Sequence, residues 1–188
     1  PAIPDGNIFL KYFRKNGNNQ IYKRSEILGE ISKQSKCIAV AGTHGKTTTS
    51  AIISHLFHSS GIHFKAFIGG IMKCFDSNFI NTGNDYIIVE ADEFDRSFLN
   101  LNPNYAVITS IESDHLDIYG DLKSLAESFQ SFTNNVKDVL ITDAEIDIDN
   151  DFSFSIKSDT DYHVNNIKIL ENEIRFDLKT PNNFYSNI

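Results

Sequence analysis

The chain reads as an α/β protein built on a mostly parallel sheet with flanking helices, and three observations lead there. A strand-length apolar run, C-I-A-V-A at residues 37–41, enters a glycine loop, G-T-H-G-K-T-T-T at 42–49, which opens an amphipathic helix. Four further short runs rich in β-branched and aromatic residues, at 64–68, 86–89, 105–108 and 139–142, read as buried strands. Beyond residue 143, short alternating segments punctuated by Asp, Asn and Ser predict an antiparallel edge.

Taken in order, residues 1–19 hold two prolines, Gly6, Gly17 and several asparagines with little periodicity, and read as loop or linker. Ile27, Leu28 and Ile31 predict a short helix within 21–32, with Ser25 as its N-cap. After the glycine loop, Ile52, Ile53, Leu56 and Phe57 recur at helical spacing, and Gly61 is the expected stop. Leu122, Leu125, Phe129 and Phe132 form one apolar stripe behind Asp121 as N-cap, so a second good helix joins two strands. The segments 152–156, 162–164, 167–170 and 174–178 are the expected edge strands. The acid-rich stretch 143–151 lacks the glycine and terminal Glu of a calcium loop and reads as a solvated turn.

With 188 residues the chain has room for one large domain, or one domain and a piece of another. A formal charge of −8 argues against a nucleic-acid partner, which needs a basic face. Two cysteines, Cys37 in a buried strand and Cys74 in a loop, form no disulfide framework, and nothing at the start resembles a signal peptide. A cytoplasmic location is therefore expected. The apolar runs fall far short of the roughly 20 residues that span a bilayer, so no membrane association is expected.

The loop carries chemistry. Its backbone N–H groups, the unpaired N–H groups of the helix's first turn and the Lys46 ammonium can converge on a polyphosphate, with Gly42, Thr43, His44, Gly45, Lys46, Thr47 and Thr48 as the candidate contacts. Thr47 is placed to offer its hydroxyl to magnesium. The common G-x-x-x-x-G-K-[ST] pattern fails, because Val40 stands where its first glycine belongs. What remains is a shorter G-T-x-G-K-T loop. For His44, filling a turn position is the favoured alternative to direct contact.

Residues 86–89 run straight into E-A-D-E-F-D at 90–95, delivering four acids to a strand's carboxyl end, where open α/β sheets bind ligands. Glu90 is the best-placed magnesium ligand, since that ion keeps most of its water and takes few protein oxygens. The next strand leads into I-E-S-D-H-L-D at 111–117, bringing His115 toward the same rim with Asp114 and Asp117 beside it to orient the ring. His55, His58, His63 and His163 carry no such context and read as ordinary surface or core residues.

Three segments together, AGTHGKTTT at 41–49, EADEFDRSFL at 90–99 and IESDHLD at 111–117, resemble the Mur ligase family, and within it the branch that joins L-alanine to UDP-N-acetylmuramate. The A-I-P at 2–4 and I-Y-K-R-S-E-I-L at 21–28 resemble the end of the family's first domain and its connector. The resemblance implies residues 1–32 as that end and connector, residues 33–188 as an incomplete central ATP-binding domain, and a C-terminal ligase domain lying outside the sequence.

It also implies ATP and Mg2+ as cofactors, UDP-N-acetylmuramate and L-alanine as small-molecule substrates, and an acyl-phosphate intermediate. In that frame Lys46, Glu90 and His115 are the catalytic set, Thr47, Glu90 and His115 the metal set, and Asp92, Glu93, Asp95 and Ser97 the candidates for the substrate side. A tripeptide-recycling ligase of the same superfamily shares the loop, although S-F-L-N-L-N-P at 97–103 favours the L-alanine branch. Two other readings compete: a phosphate-loop switch or kinase of another lineage, and a non-catalytic nucleotide-binding fragment.

Overall fold

The structure, a computed structural model, describes residues 3–4, 6–16, 20–112, 121–171 and 173–188, without the side chains of Asp95 and Leu122. Within these residues the strands are β1 (Lys36–Ala41), β2 (Phe64–Met72), β3 (Ser77–Asn81), β4 (Tyr86–Glu90), β5 (Tyr105–Ile108), β6 (Val139–Asp143), β7 (Phe152–Ser155), β8 (Tyr162–Ile169), β9 (Ile174–Lys179) and β10 (Phe184–Tyr185). They form one sheet in the order β10-β9-β8-β7-β6-β5-β1-β4-β2-β3. The helices are α1 (Ile8–Lys15), α2 (Arg24–Ser32), α3 (Lys46–Ser59) and α4 (Leu122–Thr133), with a 3-10 helix at Phe94–Asn100.

β1 lies between parallel neighbours, β4 and β5, with Val40 opposite Glu90 and Ala41 opposite Ile108. Cys37 through Ala41 are all buried, which is what a strand covered on both faces demands of its sequence. Alternate residues then feed two cores. On one face Cys37, Ala39, Ile87, Val89, Ala106 and Ile108 pack with Leu125, Phe129 and Phe132 of α4 and Phe98 of the 3-10 helix. On the other, Ile38, Ile88, Phe64 and Ala66 pack with Ile53 and Phe57 of α3. Asp121 caps α4 as expected, its Oδ1 accepting from Ser124 N at 2.7 Å, and Gly61 closes α3 with φ +69°.

Several expectations need correction. Residues 8–15 form α1, capped by the Asn7 side chain, which accepts from the Phe9 and Leu10 amides. Its own residues are not buried, so the local cap and the helical spacing had to be read without a core signal. The N-cap of α2 is Lys23, not Ser25; its amide donates to the Glu26 carboxylate. Helix α3 packs the Ile53 and Phe57 stripe, half-buried, against the sheet and leaves Ile52 and Leu56 more than half exposed. Both pairs have i,i+4 spacing, and the sheet can cover one of them.

The edge also differs. β7 is parallel to β6, and β8 begins parallel to β7; antiparallel pairing starts at β8–β9 and continues to β10. The acid-rich turn carries the chain back to the start of β6, where Leu140 N donates to Asp151 Oδ2 at 2.8 Å and Asp151 N to Leu140 O at 3.0 Å. Period-2 alternation reports a strand and carries no direction. Segments 162–164 and 167–170 are one strand, broken in register between Asn165 and Lys168 where Asn166 has φ +52°. A further strand, β3, has no clear signal in the sequence and pairs antiparallel with β2. No helix among the described residues is long and apolar enough to cross a membrane.

Candidate functional site

Ala41 ends β1 and Lys46 opens α3, so a four-residue loop must turn the chain sharply between them. Gly42 and Gly45 make the turn with φ of +129° and +83°, conformations that side-chain-bearing residues rarely adopt. The loop is clasped by the carboxyl end of β5. Thr43 N donates to Ser110 O at 2.9 Å, His44 N to Ser110 Oγ at 3.0 Å, and Glu112 N to Thr43 Oγ1 at 2.9 Å. Thr109 Oγ1 donates to Ala41 O at 3.1 Å and also bonds His44 O.

That clasp decides which amides can face a phosphate. The N–H groups of Thr43 and His44 are committed to Ser110, so two of the seven candidate contacts lose their backbone donors. The first helical bond of α3 runs from Thr49 N to Gly45 O at 2.9 Å. The amides of Lys46, Thr47 and Thr48 therefore belong to the helix's first turn, which has no carbonyls of its own to use and is suited to an anion. A cavity of about 500 Å³ flanks the loop, lined by His44, Gly45, Thr49, Val107, Thr109 and Phe154 among others.

The Lys46 ammonium is already engaged. It donates to Gly42 O at 2.6 Å, Thr43 O at 3.3 Å and both oxygens of Glu93, at 2.8 and 3.1 Å. Glu93 is 1% exposed. One residue on, Thr47 Oγ1 donates to Glu90 Oε2 at 3.2 Å, at the end of β4. The other oxygen, Glu90 Oε1, is buried with no hydrogen-bond partner. A Cβ built on Gly69 of the adjacent β2 would lie 2.6 Å from Glu90 Oε2, so the glycine clears the space in which this carboxylate sits.

A hydroxyl and a carboxylate with an orphaned buried oxygen, beside an anion-binding helix end, are a donor set that fits a small hard cation. Thr47 and Glu90 supply it. Among the described residues there is no cluster of three or more His, Cys, Asp or Glu that could hold a metal. His115, Asp114 and Asp117 lie outside the described residues; the strand that leads to them, β5, is hydrogen-bonded to β1 directly beside the loop.

Of the remaining candidates, Asp92 and Ser97 make local hydrogen bonds. Asp92 Oδ1 accepts from Phe94 N at 3.1 Å, and Ser97 Oγ donates to Asp92 O at 3.0 Å and Phe94 O at 2.9 Å, which pins the 3-10 helix. Asp95 lies in the same 3-10 helix. Sequence reasoning gave no role to Thr109, Ser110 or Gly69. The two hydroxyls directly after a strand that borders a glycine loop were a usable signal; Gly69 offered none, since its partner Glu90 lies on a different strand.

A glycine loop between a central parallel strand and a helix N-terminus, with a hydroxyl–carboxylate pair at the neighbouring strand end, defines the phosphate-loop class of α/β proteins. Residues 40–186 match the Mur ligase middle domain, and the chain belongs to the Mur ligase family. It is 44% identical to a UDP-N-acetylmuramate–L-alanine ligase of Christiangramia forsetii, over all of this chain and 42% of that protein. The enzyme of the same name from Parabacteroides distasonis is 41% identical, over 96% of this chain and 41% of its own length. The chain thus spans about two fifths of these relatives.

Among solved structures, the UDP-N-acetylmuramate-alanine ligase of Thermotoga maritima superimposes with a TM-score of 0.85 at 26% identity, covering 98% of this chain and 44% of that one. A UDP-N-acetylmuramate:L-alanyl-γ-D-glutamyl-meso-diaminopimelate ligase from Neisseria meningitides shares the fold, with a TM-score of 0.79 at 18% identity over 98% of this chain and 64% of that one.

Proposed function

We propose that this chain is the connector (residues 1–32) and central ATP-binding part (residues 33–188) of a cytoplasmic ligase that joins L-alanine to UDP-N-acetylmuramate in building peptidoglycan precursors. The observation that carries the reading is the Thr47–Glu90 pair beside the phosphate loop, with Glu90 Oε1 buried and unbonded. The relatives that bear the L-alanine name match nearly the whole chain, which favours this branch over tripeptide recycling.

In this reading the amides of Lys46, Thr47 and Thr48 and the Lys46 ammonium hold the phosphates, and Thr47 and Glu90 hold magnesium, with His115 as a further ligand. Magnesium, when bound, offsets the repulsion between the phosphate and the substrate carboxylate, two anions that must meet. The carboxylate of the sugar substrate takes the γ-phosphoryl of ATP, and the amine of L-alanine then displaces phosphate to leave an amide. The chain's own residues contribute position and charge, and Gly42 and Gly45 keep the loop's backbone close to the phosphates.

Calorimetric titration of ADP into the chain, with magnesium and with a chelator in its place, tests the site. Binding that strengthens at least tenfold with magnesium, and loses that gain in Glu90→Gln, is the expected result. Equal binding under both conditions overturns the metal assignment. For the reaction, phosphate release by an enzyme containing this chain is expected to require both L-alanine and UDP-N-acetylmuramate; release with a tripeptide in place of L-alanine supports the recycling branch.

A further inference from the structure

Four oxygens surround the Lys46 ammonium: Gly42 O, Thr43 O and both carboxylate oxygens of Glu93. An ammonium has three protons, and these acceptors use them all. The carboxylate is the deeper partner, with 1% of its side chain exposed against 16% for the lysine. A carboxylate that deep is costly without its cation, so the pair holds the lysine against the floor of the loop. The phosphate reading, however, requires the same ammonium.

Resting on that reading, we propose that Glu93 is a positioning residue that stands in for the phosphate: it takes the Lys46 charge in the empty site, and Lys46 changes partners when a nucleotide diphosphate or triphosphate arrives. Glu93 keeps the loop folded around a compensated charge before ligand binds, because the lysine is tied at once to Gly42, to Thr43 and to the turn that follows β4. Its position ahead of the 3-10 helix is fixed from outside the site: Arg96 N donates to Glu93 O at 2.9 Å, and Phe98 of the same helix is buried in the core. The incoming phosphate competes with a carboxylate of fixed geometry. Part of its attraction to Lys46 is therefore offset by separating an existing ion pair.

Glu93→Gln keeps the shape and one acceptor oxygen but removes the competing charge, leaving Lys46 undercompensated only while the site is empty. The variant is expected to bind magnesium ADP about tenfold more tightly, to melt earlier without ligand, and to regain more thermal stability than the parent on adding it. Glu93→Asp, which retains the charge, is expected to stay within about twofold of the parent. A purely structural role for Glu93 also predicts a less stable protein, but one that binds ADP more weakly.

Calorimetry with magnesium ADP on the parent chain and both variants decides between them. Unchanged or weaker binding by a folded Glu93→Gln overturns the proposal. Should that variant not fold, a crystal structure of the parent chain with magnesium ADP gives the answer: Lys46 Nζ moved beyond about 4 Å from Glu93 supports partner exchange, and the ion pair kept intact overturns it. Absence of magnesium ADP binding by the parent chain overturns the phosphate reading itself, a result distinct from either.

Discussion

Gly42 passes so close to Thr109 that a Cβ built on the glycine would lie 2.2 Å from the threonine hydroxyl oxygen, with the Ser110 backbone at 2.9 and 3.0 Å. The two residues are far apart in sequence, yet together they set the path of the phosphate loop. Gly42→Ala meets both a φ of +129° and that wall. It is expected to cost at least about 2 kcal/mol of stability and to abolish detectable ADP binding, as read by urea denaturation and calorimetry.

Gly69 gives a subtler test, because it touches the metal candidate and not the loop. In Gly69→Ala the new methyl group falls 2.6 Å from Glu90 Oε2, and the carboxylate must swing away from Thr47. Magnesium-dependent affinity for ADP is expected to fall about tenfold or more, while the weaker binding measured in chelator stays unchanged. A variant as magnesium-dependent as the parent argues against Glu90 as the ligand.

Phe98 links the site to the core. Its ring stacks on Phe132 and meets Phe129 edge to face, with centroids 5.0 and 5.2 Å away. Phe98→Ala is expected to destabilise the fold by about 3–5 kcal/mol in chemical denaturation. Since the same short helix follows Glu93, the variant is also expected to weaken ADP binding under conditions where it remains folded.

The two thiols should behave differently. Burial pushes the Cys37 thiol up from its ordinary 9.0 to about 12, against a smaller opposing pull from Lys137, whereas Cys74 is exposed. A thiol reagent at pH 8 is expected to modify Cys74 rapidly and Cys37 only after denaturation. The folded thiol holds its proton to a higher pH than the unfolded one. The resulting stability is therefore complete below about pH 9 and lost as pH rises toward about 12, a decline that Cys37→Ala is expected to remove from the denaturation profile.

Much of the fold was legible because burial leaves a local trace. The continuous run at 37–41, the glycines that follow it and the Leu125, Phe129 and Phe132 stripe each encode their element within a few residues. Direction and partnership leave no such trace. The alternation at 152–155 marks a strand equally well whichever way it runs, and the return of the chain at Asp151 to Leu140 made it parallel. Ile52 and Ile53 were equally good candidates for the buried stripe until the sheet selected one.

By itself, the sequence determined the strand–loop–helix unit, the acids waiting at the end of β4 and the family these motifs resemble, since each depends on residues adjacent in the chain. Only the tertiary structure decided that Lys46 rests on Glu93, that Ser110 takes up the Thr43 and His44 amides, and that Gly69 makes room for Glu90. These are contacts between segments separated by tens of residues. They are set by which strands become neighbours and how closely their backbones pass, quantities that no spacing along one segment can encode.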